Sequence, residues 1–584
     1  MPAGIGCSRL PGNGGEMPDD LIRRLAVLPA AKRALLEAEV SRTTLDGPAL
    51  VARALAAAGV THVYGVPGEP VYDVFAACAA SGLRLIGARS QQGAVAMAAS
   101  HNYFAGRQAA AVLVSSGAAA CNAVAAALHA RDDNCWPLVI LAGAAARGAS
   151  KRGDFMYVDT ARVFEPVTKW TVSVESTEGL EPTIGQAFEL AMDARPGPVL
   201  VELPADVLSG RAPLTSSPAD RAAASLEIDA KRLDEAAERL LAARRPLLVI
   251  GKGLRWANAF EELAELVERL SLPFVTSPIA CGYIPDDHPL CCNLLKWDVQ
   301  RQADLVLLLG ARLDWSFRFG TQIAPEAHLI QIDIHAPQLG RNRAAQLAIH
   351  GDAGSFVRGL LARALRLADP AERSRWLQAL QERRAQVQRE RIQEAARPSA
   401  RLSPEAFAHR LAQALPREAI CILDANLVMA ACERHLPAYA PLSRLAPGTS
   451  GCLGTGIPAG LAAKMQFPSR PVVVVCGDFA FGLSAMEMET AMRHGIPLVV
   501  VVANNDGNAG SLRQRVGYPP GYGERVTMFQ PGIRYERIVE ALGCHAGHVA
   551  DEASLGPALS RALASGKPAC LNVAVDPDAA FPRR

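Results

Sequence analysis

Short apolar runs alternate with Ala-rich and amphipathic stretches along most of this chain. Residues 472–476, VVVVC, form a β-branched run typical of strands buried on both faces of a parallel sheet. Helical patterning follows over residues 484–493, and a second apolar run covers residues 496–503. The order strand, helix, strand recurs along the chain and predicts an α/β protein with three doubly wound parallel-sheet domains.

Interruptions of this pattern divide the chain into segments. Residues 1–44 are predicted to be an extension, rich in Gly and Pro and disordered at first, then helical. The α/β pattern predicts three domains, at residues 45–212, 229–365 and 403–584. Residues 366–402 are strongly charged with little apolar stripe, which predicts a solvated linker helix.

Composition narrows the class of protein. The 584 residues are 50% hydrophobic, enough for several α/β cores. The net charge is +2, from 60 basic and 58 acidic residues, so no strong field favours nucleic acid or an anionic membrane. Only 5% of the residues are aromatic, too few for base-stacking platforms. Nucleic acid is therefore not an expected partner.

Cysteine usage and hydropathy point to a location. The 13 cysteines include no CxxC pair, and many lie in apolar runs, where a thiol acts as a small core residue. The longest apolar runs fall short of the roughly 20 residues that span a bilayer, and the N-terminus lacks a signal-peptide pattern. A soluble cytoplasmic protein without membrane partners is expected.

Polar residues follow the two apolar runs described first. Asp478 comes just after one run, and Asn505 follows the next, 27 positions later. Because neighbouring parallel strands end at one edge of a sheet, these side chains can converge on a hard cation such as Mg²⁺. The backbone N–H groups of Phe479 and Ala480, at the start of a helix, can hold a diphosphate. The alternative is an ordinary strand–helix–strand unit with an Asx turn after each strand.

In this sequence a GD pair is followed, after about 25 residues, by an NN pair. This pattern resembles the thiamine diphosphate (ThDP) and Mg²⁺ signature of the pyruvate-decarboxylase and acetolactate-synthase superfamily. The longer string GDFAFGLSAMEMET is more similar to one branch, the oxalyl-CoA decarboxylases and 2-hydroxyacyl-CoA lyases. The resemblance implies metal ligation by Asp478, Asn505 and the carbonyl of Gly507. It also places Gly477, Phe479 and Ala480 beside the cofactor. The three domains then correspond to the pyrimidine-binding, middle and diphosphate-binding domains of the family.

The predicted pyrimidine-binding domain departs from the family at one position. The turn GVPG contains Pro67 and resembles the family's strand-to-helix turn, and ARSQQG stands where the superfamily has R-H-E-Q. The resemblance thus puts Gln91 in place of a glutamate that exchanges a proton with the cofactor's pyrimidine. An amide can hydrogen-bond the ring but has no proton to exchange, and such acid–base groups contribute roughly 10²- to 10⁴-fold. Cofactor activation is expected to be slow, although glyoxylate carboligase, another family member, lacks this glutamate too.

Further motifs imply other site residues. SGAAACN resembles the pocket loop S-G-P-G-x-x-N and ends at Asn122, and GDFMYVD puts Phe155 and Met156 on a wall that is polar in the branch. In the third domain, DAN resembles the branch's G-A-N beside the diphosphate. The segment PGTSGCLGTG resembles the part that holds the cofactor's middle, where Leu453 is either the wedge beneath the cofactor or a core leucine. The resemblance thereby adds these cofactor-binding candidates: Ala425, Asn426, Gly451 and Leu453.

The middle domain carries FAD in some relatives and a nucleotide such as ADP in oxalyl-CoA decarboxylase. In this sequence the turns GKG at residues 251–253 and GAR at residues 310–312 are weak motifs, more often tight turns than phosphate cradles. FAD or ADP in this domain is therefore left open.

The resemblance implies a ThDP- and Mg²⁺-dependent lyase or carboligase that acts next to a carbonyl. Its small-molecule substrate is a 2-oxo acid, decarboxylated or ligated to an acceptor, or alternatively an acyl-CoA thioester that is cleaved or decarboxylated. Only about seven residues follow the last Asp-Pro, whereas relatives close a tail over acyl-CoA, so carboligation or decarboxylation is favoured. A catalytically weakened ThDP-binding partner protein is the second alternative.

Partners are also implied by the resemblance. In the superfamily the site lies between the pyrimidine-side domain of one chain and the diphosphate-side domain of another, so a homodimer or homotetramer is expected. The segment LPAAKRALLEAEV in the N-terminal extension weakly resembles helices ahead of modules in peptide and polyketide assembly lines. Docking to a carrier protein or assembly line is one reading of this extension, and a solvated helix is the other.

Overall fold

A computed structural model describes residues 44–149, 152–213, 226–363, 365, 370–399, 401–446, 448, 450–508 and 526–579. These residues form three α/β domains, each built on a parallel sheet, so the predicted fold class is confirmed. The predicted N-terminal extension lies outside the described residues, apart from Thr44. Among the described residues, no helix is both long and apolar enough to cross a membrane.

The first domain contains the following strands: β1 (Thr44–Asp46), β2 (His62–Val66), β3 (Arg84–Gly87), β4 (Ala110–Val114), β5 (Leu138–Ala144), β6 (Thr171–Ser173), β7 (Pro198–Pro204) and β8 (Arg211–Pro213). In its described part, a six-stranded parallel sheet has the order β3-β2-β4-β5-β7-β6, while β1 pairs with β8 in an antiparallel ribbon. Its α-helices are Gly47–Ala57, Tyr72–Ala80, Gln91–Ala105, Ala118–Cys121, Val124–Leu128, Thr160–Phe164, Leu180–Met192 and Ala205–Leu208, and a π-helix covers His129–Asn134.

The middle domain follows with five described strands in a parallel sheet of order β10-β9-β11-β12-β13. Their bounds are β9 (Pro246–Ile250), β10 (Phe274–Thr276), β11 (Leu305–Leu309), β12 (His328–Asp333) and β13 (Leu347–His350). The helices that cover this sheet are Ala230–Ala242, Leu254–Ala257, Phe260–Arg269, Lys296–Gln302 and Ala353–Leu361.

The third domain has six described parallel strands in the order β15-β14-β16-β17-β19-β18. They are β14 (Ile420–Asp424), β15 (Arg444–Leu445), β16 (Val472–Gly477), β17 (Val499–Asn504), β18 (His545–Val549) and β19 (Ala569–Ala574). The α-helices are Pro404–Ala414, Leu427–His435, Gly456–Gln466, Asp478–Ser484, Glu487–Arg493, Tyr535–Glu540 and Glu552–Ala564. Helix Glu487–Arg493 covers most of the helix predicted for residues 484–493, and a separate helix, Asp478–Ser484, precedes it.

The first and third domains share one strand order when each sheet is numbered from its own first parallel strand. Helix Gln91–Ala105 follows the second strand of the first sheet, and helix Gly456–Gln466 follows the second strand of the third. The two helices pack together, and a single hydrophobic core contains apolar residues of both domains. Ser90 starts the first helix by accepting the Gly93 N–H at 2.9 Å. The starts of the two equivalent helices are therefore held in a fixed relation.

The charged segment after the middle domain forms a helix, Pro370–Ala395, that is docked along its first half. Arg373 is buried and donates to the carbonyls of Leu270, Leu240 and Ala243. Trp376 packs into the core of the middle domain and donates to Gln302 at 3.0 Å. The solvated helix predicted here is wrong for this half, because Trp376 and Leu380 pack into the core of the middle domain and the buried Arg373 donates to backbone carbonyls.

Candidate active site

Two neighbouring strands of the third sheet end side by side. Gly477, the last residue of β16, pairs with Ala503 of β17, so Asp478 and Asn505 follow at the same edge. Asp478 is 2% exposed and Asn505 is 9% exposed. The structure therefore brings together the two side chains that the sequence pattern singled out for a cation.

The carboxylate of Asp478 is held by backbone N–H groups. Its Oδ1 accepts from Phe479 at 2.8 Å, and its Oδ2 accepts from Gly507 at 2.9 Å. Gly507 is packed so closely that a Cβ there would lie 2.5 Å from the carbonyl oxygen of Thr527. The residues after β17 thus fold back over Asp478. The Phe479 N–H, which was predicted to hold a diphosphate, is already donated to Asp478.

Burial raises the pKa of Asp478 to about 6, against the opposing effect of the Gly507 and Phe479 N–H groups. Among the described residues, no Lys, Arg or His forms an ion pair with this carboxylate. A bound cation would therefore offset the free-energy cost of burying its negative charge. The carboxylate, the Asn505 amide oxygen and the Gly507 carbonyl are hard oxygen donors suited to Mg²⁺. The described residues fit the ion, and they contain no group of three His, Cys, Asp or Glu side chains that would hold a metal elsewhere.

Asp424 is a buried carboxylate that the sequence analysis did not single out. It ends β14 and is 1% exposed. Its oxygens accept the N–H groups of Gly454 at 3.3 Å and Gly456 at 2.6 Å, and burial raises its pKa to about 6. A Cβ on Gly456 would lie 2.5 Å from the Cβ of Asp424. Asp424 therefore anchors the turn directly after Leu453. In the sequence, this role was signalled only by an acidic residue at the end of a predicted strand and by a later G-x-G.

A cavity of about 1060 Å³ lies between the middle and third domains. Its third-domain wall includes four residues that the resemblance put beside the cofactor: Ala425, Asn426, Gly451 and Leu453. Leu453 also packs against the core shared with the first domain. Leu453 thus contacts the core and also faces the cavity, so its position is compatible with both alternatives, the wedge beneath the cofactor and the core leucine.

The predicted pyrimidine-side residues lie on the first domain. Gln91 starts its helix, and its Oε1 accepts from the Asn122 amide at 2.9 Å. The next residue, Gln92, donates to the Leu453 carbonyl at 3.3 Å. Pro67 is exposed in the loop after β2. The structure brings Gln91 and Asn122 together, close to the loop that carries Leu453.

The loop expected to form an apolar wall is open on this chain. Phe155 is 82% exposed. Met156 has a left-handed φ of 60°, and its carbonyl approaches Gly117 so closely that a Cβ there would lie 2.6 Å away. Within the described residues, no hydrogen bond or ring contact links Phe155, Gln91 or Asn122 to Asp478 or Asn505.

Glu487 is a second buried acid that the sequence analysis missed, although it belongs to the quoted string MEMET. It is 1% exposed and accepts the N–H groups of Arg89 and Ser90, at 3.1 and 3.2 Å, and the Thr490 hydroxyl at 2.8 Å. Burial raises its pKa. Its oxygens are already engaged in fixing the start of the Gln91 helix, so Glu487 is a positioning group and not a replacement for the missing glutamate.

The GKG and GAR turns of the middle domain pack against each other. Gly253 donates its N–H to the Gly310 carbonyl at 3.2 Å, and a Cβ on Gly251 would lie 2.0 Å from that oxygen. These glycines therefore serve close backbone packing. Two cavities border these turns: one of about 60 Å³, and the 1060 Å³ cavity, which Lys252, Gly310 and Arg312 also line, so a nucleotide here stays open.

Fold and site together define a protein of three parallel-sheet α/β domains with a buried carboxylate, Asp478, at the carboxyl edge of the third sheet. Three thiamine pyrophosphate enzyme models match the chain: the N-terminal TPP binding domain at residues 45–163, the central domain at 233–360 and the C-terminal TPP binding domain at 426–573. The chain belongs to the thiamine pyrophosphate enzyme superfamily, as the resemblance predicted. Both of the family's cofactor-binding domains are present.

The relatives that match nearly the whole chain include acyl-CoA lyases and an acetolactate synthase. A 2-hydroxyacyl-CoA lyase of Oryza sativa is 33% identical, with 91% of this chain and 96% of the relative covered. The acetolactate synthase large subunit IlvG of Mycobacterium tuberculosis is 31% identical, covering 93% and 98%. Human 2-hydroxyacyl-CoA lyase 1 is 29% identical, covering 93% and 96%. The chain is similar to both acyl-CoA lyases and an acetolactate synthase.

Proposed function

We propose that this protein is a ThDP- and Mg²⁺-dependent enzyme that makes or breaks a carbon–carbon bond next to a carbonyl. The buried Asp478 carboxylate beside Asn505 and Gly507, without a cationic side-chain partner among the described residues, carries this proposal. Asp478, Asn505 and the Gly507 carbonyl would hold Mg²⁺, and the ion would bind the cofactor diphosphate. When bound, ThDP supplies an electron sink for the acyl carbon.

The chain's own residues then position and shield the reacting group. Gln91, hydrogen-bonded to Asn122, would orient the pyrimidine side of the cofactor without exchanging a proton with it. Leu453, between core and cavity, would support the cofactor from below. The turn held by Asp424 keeps this leucine in place. An enzyme with slow cofactor activation is favoured over a catalytically weakened partner protein, because the cation residues are all present.

We place the complete site between two copies of the chain. Phe155 and the pair Gln91–Asn122 are exposed or half-buried, and Leu483, on the helix that Asp478 starts, is 54% exposed. A second copy would cover these side chains and bring a pyrimidine-side wall to the Asp478 edge. A homodimer is the smallest assembly with this property. Twelve described cysteines are free thiols, which suits the reducing cytoplasm as the place of action.

The 1060 Å³ cavity bears on the substrate. Its lining includes three acidic side chains, Asp298, Asp314 and Glu433, and a larger set of basic ones: Lys252, Lys296, Arg301, Arg312, Arg318, Arg391 and Arg434. This positive excess suits an anionic substrate such as a 2-oxo acid. Ala425, Asn426, Gly451 and Leu453 line the same cavity, so the cofactor would fill part of it. The basic lining also supports the second candidate function, cleavage or decarboxylation of an acyl-CoA thioester, because CoA carries negatively charged phosphates.

A paired assay on the full chain with ThDP and Mg²⁺ tests both functions. A 2-oxo acid offered with an aldehyde acceptor is followed by carbon dioxide release and acyloin formation, and a 2-hydroxyacyl-CoA is followed by free aldehyde release. Turnover of either substrate that is lost in Asp478→Ala supports the proposal and selects the substrate class. No turnover of either, with ThDP bound tightly, would favour the partner-protein alternative.

A further inference from the structure

A cysteine outside the proposed active site accepts hydrogen bonds from two arginines that belong to different domains. The Sγ of Cys135 accepts from Arg195 Nε at 3.3 Å and from Arg312 Nη2 at 2.9 Å. Cys135 and Arg195 belong to the first domain, whereas Arg312 follows strand β11 of the middle domain. The sulfur thus lies at the junction of two domains, between two permanent positive charges.

The backbone is bent to place this sulfur. Cys135 ends the π-helix His129–Asn134 with a φ of 54°, in the left-handed region that residues with a side chain rarely adopt. Lys252 adds a third positive charge nearby, while Asp333 and Asp314 are the acidic groups that act on Arg312. Burial raises the pKa of Asp333.

The charges around Cys135 reverse the usual effect of burial. Burial alone would raise the pKa of the thiol, but Arg312, Lys252 and Arg195 lower it to about 7. Nine other described cysteines have their pKa raised, with burial the largest cause in each. Cys135 therefore has thiolate character near neutral pH that these nine lack.

The cavity of about 60 Å³ gives a small reagent room beside the sulfur. Its lining includes Cys135, Lys252 and both arginines, together with the exposed Ala194. A water molecule's share of liquid volume is about 30 Å³, so the space suits a molecule of the size of hydrogen peroxide.

We propose that Cys135 is a modification site for hydrogen peroxide. The thiolate sulfur attacks one peroxide oxygen, a sulfur–oxygen bond forms, and the oxygen–oxygen bond breaks. The sulfur is oxidised by two electrons to a sulfenic acid, and the peroxide is reduced to a hydroxide that takes a proton and leaves as water. Arg195 and Arg312 hold the thiolate before the reaction and stabilise the departing hydroxide.

Oxidation of Cys135 is also expected to change substrate binding in the 1060 Å³ cavity. This expectation rests on the proposed function. Arg312, Lys252 and Gly310 line both the 60 Å³ cavity and the 1060 Å³ cavity. An added oxygen on Cys135 displaces the Arg312 guanidinium, so the KM for an anionic substrate is expected to rise while kcat changes less.

The modification itself is tested without any substrate. The full-length protein is exposed to hydrogen peroxide at pH 7, denatured in the presence of dimedone, and each cysteine peptide is quantified by mass spectrometry. The partly exposed Cys121 and Cys452 serve as internal comparisons. Cys135 is expected to gain one oxygen at least about tenfold faster than either. Cys135→Ser should lose the adduct from that peptide.

Two arginine variants separate charge from accessibility. Arg312→Gln is expected to slow oxidation of Cys135 at pH 7 by at least about tenfold, whereas Arg312→Lys, which keeps the charge, should slow it less. An unreacted Cys135 in a sample whose Cys121 and Cys452 are oxidised would overturn the proposal. So would equal rates in wild type and Arg312→Gln. Neither result depends on whether the enzyme reaction is the one proposed.

Discussion

At the scale of single residues, Asp478 offers the most direct test of the proposed metal site. Asp478→Ala is expected to abolish ThDP retention in the presence of Mg²⁺, because it removes the charged metal ligand. The fold should survive, since the variant loses two hydrogen bonds of about 1 kcal/mol each and no longer buries a charge. Calorimetric titration of ThDP measures the effect, and Glu238→Ala, on an exposed helix face, is the control. Unchanged ThDP affinity in Asp478→Ala would refute the metal assignment.

Gln91 separates a tuned enzyme from a weakened one. Gln91→Glu is expected to raise exchange of the cofactor's C2 proton by up to roughly 10²- to 10⁴-fold, because it restores a group that can exchange a proton with the pyrimidine. Proton exchange followed by NMR measures it. Gln92→Glu, at the neighbouring position that contacts Leu453, is the matched control and should bring no gain. Equal rates in wild type and Gln91→Glu would mean that Gln91 does not face the cofactor.

At the scale of elements, Asp424 couples strand β14 to the start of helix Gly456–Gln466. Its folded-state pKa of about 6 lies above the ordinary value of 3.8, so the folded protein binds the proton more tightly than the unfolded chain. Its contribution to stability is therefore greatest in acid, falls as pH rises from about 4 to 6, and is constant above that range. The N–H group of Gly456 opposes this rise in pKa, followed by the nearby His129 and the N–H groups of Gly454 and Thr455.

Asp424→Asn removes this titration. The difference in unfolding free energy, wild type minus variant, should fall by about 1–3 kcal/mol between pH 4 and pH 6. Urea unfolding of the third domain, followed by hydrogen exchange at several pH values, measures the difference. Taking the difference also cancels the titration of Asp478. A pH-independent difference would contradict the buried, ionisable state of Asp424.

The docked helix Pro370–Ala395 depends on one buried arginine. Arg373→Met is expected to weaken docking by about 2–4 kcal/mol, because the carbonyls of Leu270, Leu240 and Ala243 lose their donor. Faster hydrogen exchange over residues 374–380 is the readout. Arg389→Met, on the exposed part of the same helix, should leave exchange there unchanged. Matching exchange in both variants would show that the apolar contacts of Trp376 and Leu380 anchor the helix without Arg373.

At the scale of the whole molecule, the open pyrimidine-side surface predicts an obligate assembly. Activity per chain should fall on dilution in step with dissociation of the dimer, because the Gln91 face of one chain would meet the Asp478 edge of another. Sedimentation velocity at the assay concentrations, paired with turnover, measures both quantities. A monomer with full activity would remove the second chain from the site.

The sequence by itself determined the architecture of this protein and the strand-end positions of Asp478 and Asn505. Apolar runs at strand length separated by helical stretches specify parallel α/β sheets, because each strand must be buried on both faces. The residues that follow neighbouring strands then lie at one edge. Asp478 and Asn505 could be paired on this ground alone, and the structure places them there.

The tertiary structure decided what surrounds that edge. Glu487 accepts the N–H group of Arg89, just before the Gln91 helix, although the two residues are 398 positions apart. Arg312 donates to Cys135 across 177 positions. Such contacts leave no periodic signal in the chain, because they depend on how whole domains pack. Local pattern also could not reveal that a charged helix docks through Arg373, or that Phe155 stays open to solvent. Burial, which sets the pKa values of Asp424 and Cys135, exists only once the domains are assembled.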